Sequence, residues 1–135
     1  MMQDRFKFRV WDKHEKSYWW QSTIEQNIHW LMNPEEYKDA NYPPDCVEIE
    51  QCLGLKDKNG KLIYENDIVR CGNNGQFVYK VGFNKRFASF VLIRKEDAFN
   101  HYFGEAVEAE DVEVIGNIHE NEDLLENKWW TRIKF

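Results

Sequence analysis

Residues 54–69 read GLKDKNGKLIYENDIV, and this stretch limits the fold more than any other. Asn59-Gly60 supplies the positive φ that a two-residue hairpin turn requires. Beyond it, Leu62 and Tyr64 share one face of a short strand and Ile63 takes the other. Asn66 tolerates the left-handed region, and Asp67 is placed to accept backbone N–H groups at the entry of the next strand. The chain thus turns twice within sixteen residues, which leaves room for short strands but not for a helix. The pattern recurs. In RFKFRVW, Phe6, Phe8 and Val10 alternate with Arg5, Lys7 and Arg9; DKHEK is a turn, and SYWWQSTI reads as the returning strand. VEIEQCLGL alternates until Gly54, and GNNG at 72–75 is a tight connection between DIVRC and QFVYKVGF. FASFVLIR pairs back around NKR, and DVEVIGNI is a last core strand. Only residues 25–46 break the rhythm: IEQNIHWLMNPEEY suits a short helix ended before Pro34, because proline disfavours helical dihedrals in the residue before it. These spacings predict a mainly β domain, a small antiparallel barrel over 47–118. An N-terminal hairpin and connecting segment (1–46) and a C-terminal turn and strand (119–135) pack on it. The D-K-x-x-K pattern at Asp12–Lys16 and Asp57–Lys61 reads as one hairpin chemistry used twice.

With 135 residues, including six Trp, nine Phe and six Tyr, the chain has apolar bulk for one core with aromatic area left over. The beginning, MMQDRFKFRVWDK, has no apolar segment of the signal-peptide kind, and no apolar run approaches a membrane span. Cys46, Cys52 and Cys71 are odd in number and lack C-x-x-C spacing, which argues against a disulfide framework and a zinc knuckle. A soluble cytoplasmic protein with buried thiols is the expectation. The net charge of −6 is segregated: Arg70 to Lys95 holds six basic residues and no acid, and Glu96 to Glu126 holds eleven acids and no Lys or Arg. Such segments either neutralise each other side by side or leave one basic face able to attract a polyanion.

The same residues do not assemble a recognisable reactive site. A calcium loop needs ligands at alternating positions, glycine at the sixth and glutamate at the twelfth; Gly60 comes early and Lys61 occupies a ligand slot. Gly54 and Gly60-Lys61 do not open a helix, so a phosphate loop is excluded as well. No nucleophile, base and orienter assemble from His14, His29, His101 and His119, and carboxylate pairs such as Glu108/Glu110 and Asp111/Glu113 read as solvated charge. The expectation is therefore no catalytic residue, no metal and no cofactor.

Three blocks, FKFRVWDK, GLKDKNGKLIYENDIV and EVIGNIHENEDLL, resemble in order and spacing the YopX family of phage and prophage proteins. Where that family's pattern reads E-G-D this chain has Glu65-Asn66-Asp67, and where it reads N-I-Y-E-N-P-E-L-L this chain has His119 and Glu122. The resemblance implies a mainly β fold, partly like an SH3 barrel, in a phage-encoded cytoplasmic protein of the bacterial host. It implies no assigned activity.

Binding is then the expected mode of action. Trp19-Trp20 and Trp129-Trp130 lie in apparent strands, where neighbours point to opposite faces, so one of each pair faces away from the local core. Exposed tryptophan marks interfaces, and KWWTRIKF suits addition to a sheet edge of another subunit. The first expectation is a non-enzymatic protein–protein interaction module, a homo-oligomer or a binder of a host or phage protein, with no membrane contact. The alternative is a single-stranded nucleic-acid face built from Lys80, Lys85, Arg86 and Arg94 interleaved with Phe77, Tyr79, Phe83, Phe87 and Phe90. A third reading takes the acidic tract from Glu105 to Glu126 as a polyanion mimic that occupies a host DNA-binding protein.

Overall fold

Turn chemistry dictates the local structure, and a shared apolar core assembles the pieces. The computed structural model describes residues 4–41, 43–94, 101–103 and 107–126. Nine strands are present there: β1 (Phe8–Asp12), β2 (Ser17–Tyr18), β3 (Val47–Lys56), β4 (Leu62–Tyr64), β5 (Asp67–Cys71), β6 (Phe77–Asn84), β7 (Ser89–Ile93), β8 (His101–Tyr102) and β9 (Glu113–Asn117). They form a four-stranded sheet in the order β2-β1-β3-β4 and a five-stranded sheet in the order β8-β7-β6-β5-β9, with every pairing antiparallel. The protein is mainly β, and one sheet curls like a half-barrel, as the turn spacing requires. The N-terminal hairpin joins the rest through β1, which pairs with β3 from Phe8↔Gln51 to Asp12↔Val47.

Asp57 shows how the opening stretch works. Its Oδ1 accepts the N–H groups of Asn59 and Lys61, both at 2.9 Å, and its Oδ2 accepts that of Val114 at 2.9 Å, beside the start of β9. One side chain thus closes the hairpin and ties it to the second sheet. Asp12 repeats the device: its Oδ1 accepts the N–H groups of His14 and Glu15, and its Oδ2 accepts the indole N–H of Trp19. Left-handed residues complete both turns, Lys16 at φ 56° and Gly60 at φ 81°. Asn66 lies at φ 69°, in the left-handed region its side chain tolerates.

Burial opposes the Asp57 charge, but the N–H donors of Val114, Lys61 and Asn59 outweigh it and hold the carboxyl below the ordinary aspartate range. A folded-state pKa below the unfolded one adds stability that is present above the unfolded value and is lost as pH falls through the folded value. Asp57→Asn is expected to cost about 1.5–3 kcal/mol at pH 7. It should also flatten the decline in stability below about pH 4, measured by urea unfolding across pH. An unchanged acid limb would remove Asp57 from this role.

The main core uses both sheets: Leu53 and Ile63 from β3 and β4 meet Val69, Cys71, Tyr79, Val81 and Leu92 from β5, β6 and β7, with Val112. A second cluster, Val10, Ile24, Leu31 and Val47, lies on the other face of the four-stranded sheet. It is covered by two short helices, α1 (Gln21–Gln26) and α2 (Ile28–Met32). This corrects the returning strand expected over SYWWQSTI. Pairing stops after Tyr18, and the chain turns into α1, because Ile24 and Leu31 bury against Val10 when the segment is helical. The helix expected before Pro34 is present but divided at Asn27, and Pro34 opens a tight turn over Pro34–Tyr37. A last short helix, α3 (Asp123–Glu126), follows β9. The C-terminal strand expected over KWWTRIKF, with Trp129 and Trp130, lies outside the described residues.

Candidate functional site

The two sheets meet over a polar junction. On β1, Arg9 and Trp11 point toward the five-stranded sheet, and their partners across β3 are Glu50 and Glu48. Glu50 is fully buried, and Asp67, the first residue of β5, is 2% exposed. Arg9 bridges them, with Nε donating to Glu50 Oε1 at 2.7 Å and Nη2 to Asp67 Oδ1 at 2.8 Å. Its Nη2 also donates to the Glu65 carbonyl, and its guanidinium stacks on the rings of Tyr18 and Tyr64. Tyr18 donates its hydroxyl to Glu50 Oε1 at 2.9 Å. The other oxygen, Glu50 Oε2, meets the Asn66 amide at 2.6 Å and His119 Nε2 at 2.7 Å. His119 comes from the turn after β9, and its ring stacks on Trp11 with centroids 4.4 Å apart and planes 5° from parallel.

Desolvation governs the titrations here. Burial works against the Arg9 charge, but the combined fields of Asp67, Tyr18 and Glu50 overcome it and raise Arg9 above its ordinary value. Burial raises Asp67 despite Arg9, raises the Tyr64 phenol, and pushes the Tyr18 phenol well above its usual range. Burial likewise raises the Cys52 and Cys71 thiols, which are poor nucleophiles in that state. No buried side-chain nitrogen or oxygen among the described residues lacks a partner. The junction is a satisfied network that fixes how the sheets meet.

Sequence reading missed this junction. Arg9 and Glu50 sit in alternating strands where a charged residue reads as outward-facing, yet here the charged face is the one that turns inward. The signal that was available is Asn66-Asp67, one turn that delivers two junction residues.

The surface carries the residues singled out as binding candidates. Trp19 packs against the second core cluster and stacks on Trp30, with centroids 6.0 Å apart, whereas Trp20 is 81% exposed. The pair does divide between core and solvent, but because Trp20 caps α1 in an extended conformation rather than by strand alternation. Ile28 and Met32, one turn apart on α2, are also exposed, as is Phe6. Phe6 and Phe8 line a groove with Lys7, Gln21, Leu62 and Tyr64, next to Trp20 in the chain.

The basic candidates do not share one surface. Lys80 lies on β6 between Ile68 and Ile93, on the sheet face opposite Phe77, Tyr79 and Phe83. Lys85 and Arg86 stand in the turn at one end of β6, where Arg86 covers the Phe87 ring. Arg94 covers Phe77 at the other end, roughly 20 Å away at the rise of a strand. Tyr79 belongs to the core and Phe90 packs against it. The basic and acidic segments do adjoin at β5 and β9, where Arg70 and Lys58 both pair with Glu113.

Comparison with known proteins places the chain. No curated protein matches it significantly. Protein EF1440 from Enterococcus faecalis is similar in structure, with a TM-score of 0.52 and 22% identity over 88% of this chain and 96% of that one, a likeness of fold alone. The family described as "YopX protein" matches residues 7–126, which include the junction and both turns that build it. The chain belongs to the YopX family.

Proposed function

We propose that this protein is a non-enzymatic phage accessory protein of the bacterial cytoplasm that acts by self-association through the face around Trp20. The observation that carries this reading is the 81% exposure of Trp20, beside a helical hairpin whose Ile28 and Met32 are also open. Between Trp20 and Met32 the only charged residue is Glu25. Interface centres are depleted of charge and enriched in aromatic residues and methionine. A face so poor in charge meets its own copy without like-charge repulsion, even on a chain of net charge −6. A small barrel-like β body with a satisfied interior suits such a role, since nothing in the junction requires a substrate.

Mass measured by light scattering is expected to be a multiple of the chain mass, and Trp20→Ser combined with Met32→Ser should reduce it to the monomer with secondary structure intact. A wild-type monomer at high concentration would overturn the reading. Running the same measurement with a short single-stranded oligonucleotide separates the alternative. Binding that falls steeply with salt and vanishes in Lys85→Glu/Arg86→Glu would replace self-association with nucleic-acid binding at the Phe87 turn.

A further inference from the structure

We propose that Glu48, Glu50 and His119 form a site for one divalent transition-metal ion, with Zn²⁺ the best fit. One ligand atom from each residue lies within 4.8 Å of the others. The geometry is more specific than that proximity. His119 Nε2 faces Glu50 Oε2 at 2.7 Å and Glu48 Oε2 at 3.8 Å. Zinc bonds of about 2.0–2.2 Å set neighbouring ligand atoms about 3–4 Å apart, so small shifts open this triangle around an ion. The ion takes the place of hydrogen at Nε2, and the neutral ring then carries its one proton on Nδ1.

The outer partners are already in position. Glu50 offers Oε2, while its Oε1 is held by Arg9 and Tyr18. Glu48 offers Oε2, while its Oε1 accepts from Asn66 at 3.2 Å. The imidazole is fixed in orientation by its stack on Trp11. Metal sites rely on this arrangement, in which the second oxygen of a ligating carboxylate is hydrogen-bonded and the ring is held. Charge points the same way. Arg9 is shared between Glu50 and Asp67, and Glu48 adds a further carboxylate on the far side of the Asn66 amide, so the cluster carries more acid than the one guanidinium offsets. A cleft lined by Trp11, His119 and Glu120 opens beside the imidazole, and the Glu48 side chain is 42% exposed, so the cluster lies close to solvent. Lys13 and Lys16 stand at the same cleft and repel a cation in screened surroundings. An ion that forms strong bonds to imidazole and carboxylate overcomes this repulsion; Mg²⁺ and Ca²⁺, which prefer oxygen alone, do not.

The test is calorimetric titration of chelator-treated full-length protein with ZnCl₂, with Co²⁺ absorption as a spectroscopic check on a nitrogen–oxygen ligand set. The expected result is one saturable ion per chain, with a rise in unfolding temperature. Glu48→Gln, at a half-exposed position that leaves the fold intact, and His119→Gln should each weaken binding at least as much as the about 10–100-fold typical of losing an outer-shell partner. His29→Gln is the control, because His29 and Glu36 form an exposed pair elsewhere on the surface. Absence of stoichiometric binding would overturn the proposal. So would full binding in Glu48→Gln and His119→Gln, or loss of binding in His29→Gln.

Discussion

Arg9→Met is expected to lower folding stability by about 3–5 kcal/mol, a large share of the about 5–15 kcal/mol that holds an ordinary domain folded. The side chains involved are 19% exposed for Arg9, 1% for Glu50 and 2% for Asp67, so the two carboxylates have little water to fall back on. In the intact junction the guanidinium donates to both carboxylates and to the Glu65 carbonyl. Methionine fills similar space but leaves two buried acids facing each other without a counter-charge. Burial already raises Asp67 in the parent, and without the guanidinium nothing opposes that rise, so the variant should recover more stability than the parent as the pH is lowered. Equilibrium unfolding in urea at pH 5 and pH 8 measures this difference. The triple variant Arg9→Met/Glu50→Met/Asp67→Asn removes the charges together. It should lie much closer to the parent than Arg9→Met does, because the penalty belongs to uncompensated charge rather than to the ion pair's own worth. A triple variant no better than the single one would mean that the hydrogen bonds to Tyr18, Asn66 and His119 carry the stability instead.

Ile63→Ala is expected to cost about 2–5 kcal/mol, the range for emptying a buried aliphatic site. Ile63 is the middle residue of β4 and is fully buried in the cluster that includes Val69, Val81 and Leu92 of the other sheet. The cavity therefore opens between the sheets rather than within one of them. The informative readout is cooperativity. In a Trp129→Phe/Trp130→Phe background the remaining tryptophans, Trp11, Trp19, Trp20 and Trp30, all lie in the N-terminal sheet and its helices, so fluorescence follows that part while far-ultraviolet circular dichroism follows both sheets. Both signals should shift to lower denaturant and remain coincident. Separate transitions would show that the sheets are stable independently and that the shared core is a weak contact.

What was legible in the sequence follows from the range of the forces. The β class, the turn at Asn59-Gly60, the left-handed Asn66 and the Oδ1 bonds by which Asp12 and Asp57 close their own turns are set by residues within five positions of one another, whereas the reach of Asp57 to Val114 spans 57. Backbone sterics and a carboxylate reaching its own turn act at that range, so pattern alone determines them. The same holds for the helix end before Pro34. Alternation misled where burial on a second surface outweighed it: Gln21–Gln26 became helix because Ile24 needed Val10, a contact that propensity does not contain.

The junction belongs wholly to the tertiary structure. Arg9 meets Glu50 and Asp67 across 41 and 58 positions, and Glu50 meets His119 across 69. A charged residue in a strand has two faces available, and local sequence does not say which face will be covered. That is decided only when the five-stranded sheet closes over β1 and β3, placing Arg9 and Glu50 where desolvation forces them to pair. The basic residues met the same limit in the opposite sense. Lys80, Lys85, Arg86 and Arg94 are neighbours in sequence, but the pleat and length of β6 separate them in space. The sequence by itself determined where this chain turns; the packing of one sheet on the other decided which charges it hides.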